Sequence, residues 1–250
     1  MQATLPRQWV GWLQGVRHVC FDKDGTLIDV HRYWRHTVRL RADRVQQDFR
    51  LSERQRDGLI EAMGVDLHTG RIRFGGPVGY APRPAVIKAA QQFLASQRVR
   101  TTETALAALF ASIDGDQQQR GDYDVQALPG AAEFLGALSE QGFALSICSS
   151  DRKEHIRAVL DALSLSSYVP HVVGGGCLTH AKPHPEGFLL ACERAGVPPS
   201  ETVYVGDTVA DMRMGMAGGA NKVIGVASGL SSLEELSACT PFVCAQLMKP

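Results

Sequence analysis

Apolar and polar positions along this chain fall into two textures. From Pro129 onward, short apolar runs alternate with stretches whose apolar residues recur every three or four positions, the pattern of a parallel sheet covered by helices. Pro129 and Gly130 open a helix in which Phe134, Leu135 and Leu138 share a face, and Gly142 is placed to stop it. The run 143–148 predicts a strand, Asp151 a helix cap, and Ile156, Val159, Leu160 and Leu163 the buried stripe of the helix that follows. Further strands are predicted at 171–173, 202–205 and 222–226, with helices at 185–195 and 207–216. Between a first apolar run at 19–21 and Pro129 the texture differs. Amphipathic helices are predicted at 31–49, 83–97 and 101–110, and Gly75, Gly76 and Gly79 cluster in the loop 71–80. This middle stretch reads as an insertion, and the chain shows no internal repeat or low-complexity tract.

Composition narrows the classes. With 250 residues, 44% of them hydrophobic and 21% charged, the chain can bury a sizeable core. Twenty-six basic residues balance twenty-six acidic ones, so neither a nucleic acid nor a membrane surface is expected as partner. The six cysteines form no Cys-x-x-Cys pair and read as reduced thiols of a cytoplasmic protein. Gln8, Gly11, Gln14 and Gly15 interrupt the apolar residues near the N-terminus, so no signal peptide is expected there, and no run reaches transmembrane length.

Candidate chemistry sits where the strands end. The run Val19-Cys20-Phe21 leads into Asp22-Lys23-Asp24-Gly25-Thr26. Two carboxylates spaced by two can point to one side of a strand end, where their mutual repulsion calls for a divalent cation, a shared proton or a nearby Lys. A calcium loop starting at Asp22 would want a bidentate acid where Tyr33 stands. Ser149-Ser150-Asp151 follows the next strand, offering hydroxyls and free amides to an anion as well as ordinary helix capping. In Ala181-Lys182-Pro183-His184-Pro185 two prolines stiffen the backbone around an ammonium that can neutralise phosphoryl oxygens. Gly206-Asp207-Thr208 ends another strand; Asp207 can complete a metal site, and Asp211, one turn onward, can orient Lys182 or a metal-bound water, or simply place a favourable charge in the first turn of a helix. All four clusters fall at the C-terminal ends of predicted parallel strands, where open α/β sheets build their sites.

Those clusters make the chain resemble the haloacid dehalogenase-like (HAD) hydrolase superfamily, in its phosphatase branch. Asp22 with Asp24, Ser149, Lys182, and Asp207 with Asp211 match its four motifs. The Leu128-Pro129-Gly130 entry and the Gly206-Asp207-Thr208 strand end are similar to those of phosphoglycolate phosphatases and beta-phosphoglucomutases. The resemblance implies a Rossmann-like doubly wound α/β core at 1–29 and 128–250, with an inserted, mostly helical type I cap at 30–127. Lys23 departs from the apolar residue that the family often carries there, and the sequence reads it as a solvated or cap-facing side chain with a charge at the site rim.

By the same resemblance the reaction is magnesium-dependent hydrolysis of a small phosphorylated metabolite through an aspartyl-phosphate. Asp22 would be the nucleophile and Asp24 the acid and base. Mg²⁺ would be held by Asp22, the carbonyl of Asp24 and Asp207. Lys182, Ser149 and the amides near Ser150 and Lys23 would hold the phosphoryl group, with Thr26, Gly25, Gly206 and Asp211 in support. Arg32, Arg35 and Arg39 share one helix face after the catalytic turn and are candidates for gripping an anionic substrate. The resemblance leaves open a phosphomutase, which would return the phosphoryl group to a sugar, and a phospholigand-binding protein without turnover. A monomer or homodimer is expected.

Overall fold

The computed structural model describes residues 4–81, 83–121 and 124–248. Six parallel strands form one sheet: β1 (His18–Phe21), β2 (Ala144–Cys148), β3 (His171–Val173), β4 (Thr202–Gly206), β5 (Lys222–Val226) and β6 (Val243–Cys244). Their order is β3-β2-β1-β4-β5-β6, so the winding reverses between β1 and β4 and opens a crevice at their carboxyl ends. Register puts Phe21 opposite both Ile147 and Val205, and the N–H of Asp22 donates to the Val205 carbonyl at 2.8 Å. Asp22 therefore leaves β1 at the level where β4 also ends.

Helices are numbered along the chain. α1 (Arg7–Trp12) precedes β1. Between β1 and β2 come α2 (Val30–Phe49), α3 (Glu53–Met63), α4 (Pro77–Tyr80), α5 (Arg83–Ser96), α6 (Glu103–Arg120) and α7 (Ala131–Glu140). α8 (Lys153–Ala162), α9 (Glu186–Ala195), α10 (Val209–Ala217) and α11 (Leu233–Ser237) connect the later strands in turn. Alternating strand residues serve the two faces. Val19, Phe21, Leu145, Ile147, Val203 and Val205 pack with Trp9, Phe134, Ile156 and Leu160. Cys20, Cys148 and Tyr204 pack with Phe188, Met212 and Leu236 on the other side. The thiols of Cys20, Cys148 and Cys192 are buried, whereas Cys177 is exposed; no cysteine is paired.

Two compact units result, Met1–Asp29 with Val125–Pro250, and Val30–Asp124. The chain re-enters the first unit three residues before the expected 128, because Asp29 N–H donates to the Gln126 carbonyl and Ile28 bridges Ala127. Within the second unit Val38, Ala42, Leu59, Met63, Leu94 and Phe110 are buried. α3 was not expected from apolar spacing, yet Ser52 and Gln55 form a reciprocal capping box at its start and Gly64 ends it at φ 107°. α6 runs past the expected 110 to Arg120, stopped by Gly121 at φ 64°. No described helix is long and apolar enough to cross a membrane.

Candidate functional site

Strand ends bring three carboxylates together in the crevice. Asp22 after β1, Asp207 after β4 and Asp211 in the first turn of α10 are all buried, with carboxylate oxygens within 4.8 Å of one another. Lys182 Nζ enters the group from the β3–α9 connection, 2.5 Å from Asp22 Oδ1 and 2.7 Å from Asp211 Oδ1. Sequence separations of 160 and 29 residues are thus closed by one ammonium.

Each partner is positioned by local chemistry. Thr208 caps α10 with a reciprocal box: its hydroxyl accepts the Asp211 N–H at 3.2 Å and its own N–H donates to Asp211 Oδ2 at 3.0 Å, an oxygen to which its hydroxyl also donates at 2.6 Å. The Tyr204 hydroxyl, 3.1 Å from Asp211 Oδ1, donates to it from β4. Asp207 Oδ2 accepts the Leu230 N–H at 2.7 Å, whereas its buried Oδ1 has no hydrogen-bond partner. Glycines let backbone close around that carboxylate: a Cβ on Gly25, which sits at φ 85°, would lie 2.3 Å from Asp207 Oδ2, and one on Gly229 would lie 1.9 Å from it. At Gly206 a Cβ would meet Asp211 Cβ at 2.4 Å.

Electrostatics follow from this crowding. Burial pushes the Asp22 carboxyl up to about 7; the Lys182 charge opposes the shift, while Asp211 and Asp24 add to it. Asp207 is raised well above the usual carboxylate range by burial, then by Asp22 and Asp211. For Lys182 burial works against the charged form, but Asp211 and Asp22 outweigh it and hold the amine protonated. Three ionised carboxylates against one ammonium would leave two excess negative charges. A divalent cation removes that excess, and the orphaned Asp207 Oδ1 offers it a ligand, so the residues present fit a hard, oxygen-liganded ion.

Lys23 corrects the sequence expectation of a solvated side chain. Only 2% of it is exposed, and its Nζ lies 2.7 Å from Asp24 Oδ1 and 3.3 Å from Asp151 Oδ2. Asp151 in turn does not cap α8, whose N-cap is Arg152 without a side-chain bond. Its carboxylate lies 2.5 Å from His155 Nδ1. Burial opposes ionisation of Asp151, but the His155 hydrogen bond and the Lys23 charge prevail and bring it down to about 2. The Thr26 hydroxyl is buried without a hydrogen-bond partner.

Ser149, buried at the end of β2, accepts the Asp151 N–H at 3.2 Å. Ser149, the exposed Ser150 and Lys182 line one cavity of about 260 Å³ together with Cys148, Gly175 and Leu178. Arg32, Arg35 and Arg39 belong to the inserted unit. There Arg32 Nε lies 2.5 Å from Asp124 Oδ1, Arg35 packs on the backbone of Gly70, and Arg39 is exposed. The loop after β5 was missed from sequence, although its Ser228-Gly229-Leu230-Ser231 stretch has the turn composition of the other site loops and follows a strand as they do.

Comparison with known proteins agrees with this arrangement. The profile of the haloacid dehalogenase-like hydrolases matches residues 16–219. The chain is 28% identical over 238 residues to the phosphoglycolate phosphatase of Salmonella choleraesuis (strain SC-B67), covering 92% of this chain and 89% of that one. Over 115 residues it is 38% identical to "Probable phosphatase IndB" of Dickeya dadantii (strain 3937), a match spanning 46% of this chain and half of that protein. Among solved structures, a predicted phosphoglycolate phosphatase from Haemophilus somnus 129pt superposes with a TM-score of 0.69 at 18% identity, covering 93% of this chain and 95% of that one. With the profile spanning β1 to β4 and including Asp22, Lys182, Asp207 and Asp211, the chain belongs to the haloacid dehalogenase-like hydrolases.

Proposed function

We propose that this protein is a magnesium-dependent phosphatase that hydrolyses a small phosphate monoester through an aspartyl-phosphate on Asp22. One observation carries the reading: Asp22 and Asp207 share a buried crevice with an ammonium that touches both Asp22 and Asp211. Asp22, the carbonyl of Asp24 and Asp207 would hold Mg²⁺, which supplies positive charge to the carboxylates and to the phosphoryl oxygens. Asp22 Oδ attacks phosphorus while the ester bond breaks, and Asp24 delivers a proton to the departing alkoxide. Asp24 then accepts a proton from the water that cleaves the acyl-phosphate, restoring Asp22 and releasing phosphate. Lys182, Ser149 and the main chain near Ser150 and Lys23 carry the charge of the phosphoryl oxygens as it redistributes. The inserted unit serves as the cap that selects the leaving group, with Arg32, Arg35 and Arg39 as its candidate anion contacts.

The phosphoglycolate phosphatase relative names the first monoester to assay. Asp22→Asn should lower Mg²⁺-dependent phosphate release from 2-phosphoglycolate and p-nitrophenyl phosphate by at least about 10³-fold. Asp24→Asn should cost about 10²–10⁴-fold with an alkyl ester. Undiminished release from Asp22→Asn would overturn the reading. Turnover only with a sugar bisphosphate, and negligible free phosphate, would make the protein a mutase instead.

A further inference from the structure

A second group of metal-ligating side chains flanks Lys182 and takes no part in the chemistry above. His180 and His184 stand two residues before and two residues after it, and their rings stack with centroids 4.2 Å apart at 26°. Both converge on Glu186, whose Oε2 is 3.0 Å from His180 Nδ1 and 4.0 Å from His184 Nδ1. The ligating atoms of all three lie within 4.8 Å of one another.

Hydrogen bonds already gather the three side chains. The Glu186 carboxylate accepts the N–H groups of Thr179 at 2.9 Å and His180 at 2.8 Å. The Thr179 amide, the His180 ring and the His180 amide together bring it down to about 2. His184 Nδ1 accepts the Glu186 N–H at 3.3 Å, a bond that an ion on that nitrogen would replace. The imidazoles are 58% and 49% exposed, so an ion reaches them from solvent. Bringing the nitrogens to the roughly 2.0–2.1 Å of a metal bond takes only rotamer adjustments of surface side chains. Closing the 179–186 loop explains the backbone bonds to Glu186; it does not require two imidazoles stacked beside that carboxylate.

Donor chemistry selects the ion. Two imidazole nitrogens and one carboxylate suit zinc, cobalt or nickel, whereas magnesium takes oxygen ligands. We propose that His180, His184 and Glu186 form a second divalent site, for a zinc-class transition ion with water completing its coordination, separate from the carboxylate cluster of Asp22, Asp207 and Asp211. The ion would tie together both ends of the loop that carries Lys182. This assignment holds whether or not the protein is a phosphatase.

The test is a Co²⁺ titration of the full chain held in excess Mg²⁺, read by visible absorption and calorimetry, with Zn²⁺ as displacing ion. One Co²⁺ equivalent is expected, displaced by Zn²⁺, and weakened at least about tenfold in both His180→Ala and His184→Ala. Cys177→Ala removes the exposed thiol as a competing ligand and should leave that equivalent in place. Far-ultraviolet dichroism checks that each variant is folded, and having two independent histidine variants keeps the test decisive if one is not. Equal Co²⁺ affinity in the parent and both histidine variants overturns the proposal. Loss of the equivalent in Asp207→Asn, with both histidine variants unaffected, overturns it equally.

Discussion

At the scale of single residues, the centre of the sheet holds an imidazole among apolar neighbours. His18 is fully buried on β1, its Nε2 2.8 Å from Ser146 Oγ on β2 and its Nδ1 3.1 Å from Thr202 Oγ1 on β4. Burial, with a smaller contribution from His171, lowers it from 6.5 to about 4. The unfolded chain therefore binds a proton between those values that the folded one refuses, so stability contributed by neutral His18 is complete above pH 6.5 and lost as pH falls toward 4. The loss is about 3 kcal/mol. Urea unfolding between pH 7 and 4 checks it, and His18→Gln should flatten that slope. Gly229 makes the second prediction at this scale. Gly229→Ala drives a methyl into Asp207 Oδ2 and should abolish Mg²⁺-dependent turnover. Gly115→Ala, with open space around it in α6, should leave turnover unchanged and raise thermal stability by up to about 1 kcal/mol.

At the scale of elements, the start of α10 links helix stability to the site. Thr208→Ala removes the cap and the 2.6 Å bond to Asp211 Oδ2, so it should cost about 1–2 kcal/mol in denaturant melts. Because Asp211 also orients Lys182, the same variant should lower kcat, whereas Ser52→Ala, a cap of similar make at α3, should lower stability alone. The sheet and the four motifs were legible because apolar runs, Gly and Pro punctuate them, and because Asp22, Lys182 and Asp207 have few structural reasons to stand there; Lys182 stands nine residues past the end of β3 rather than at it. What was not legible depends on register and on backbone. His18 meets Ser146 and Thr202 only once β1 is flanked by β2 and β4. Asp207 is held by a main-chain N–H of Leu230, a group that every residue but proline offers. Lys23 reads as a surface cation until Asp151 is brought beside it. α3 was overlooked because charged residues dilute its apolar stripe, even though Ser52 and Gln55 already spelled its start.

At the scale of the whole molecule, the unit built from Met1–Asp29 and Val125–Pro250 is assembled from segments separated by the insertion, and its crevice concentrates like charge where those segments meet. An ion that relieves that repulsion binds the native state alone. At roughly 100 times its Kd, Mg²⁺ should stabilise the fold by about 2.7 kcal/mol, raising the melting temperature of a chain this long by about 5–10 °C. Scanning calorimetry with Mg²⁺ and with EDTA measures the shift, and Asp207→Asn should erase it. The thiols distributed through the core carry one more consequence. Burial raises Cys20 well above its ordinary range and pushes Cys148 up to about 12, while Cys177 faces solvent. Iodoacetamide should therefore modify Cys177 at once and reach Cys20 and Cys148 only when the helices covering that face of the sheet lift away, which gives the native chain an internal clock for its own opening, read by peptide mass without any added label.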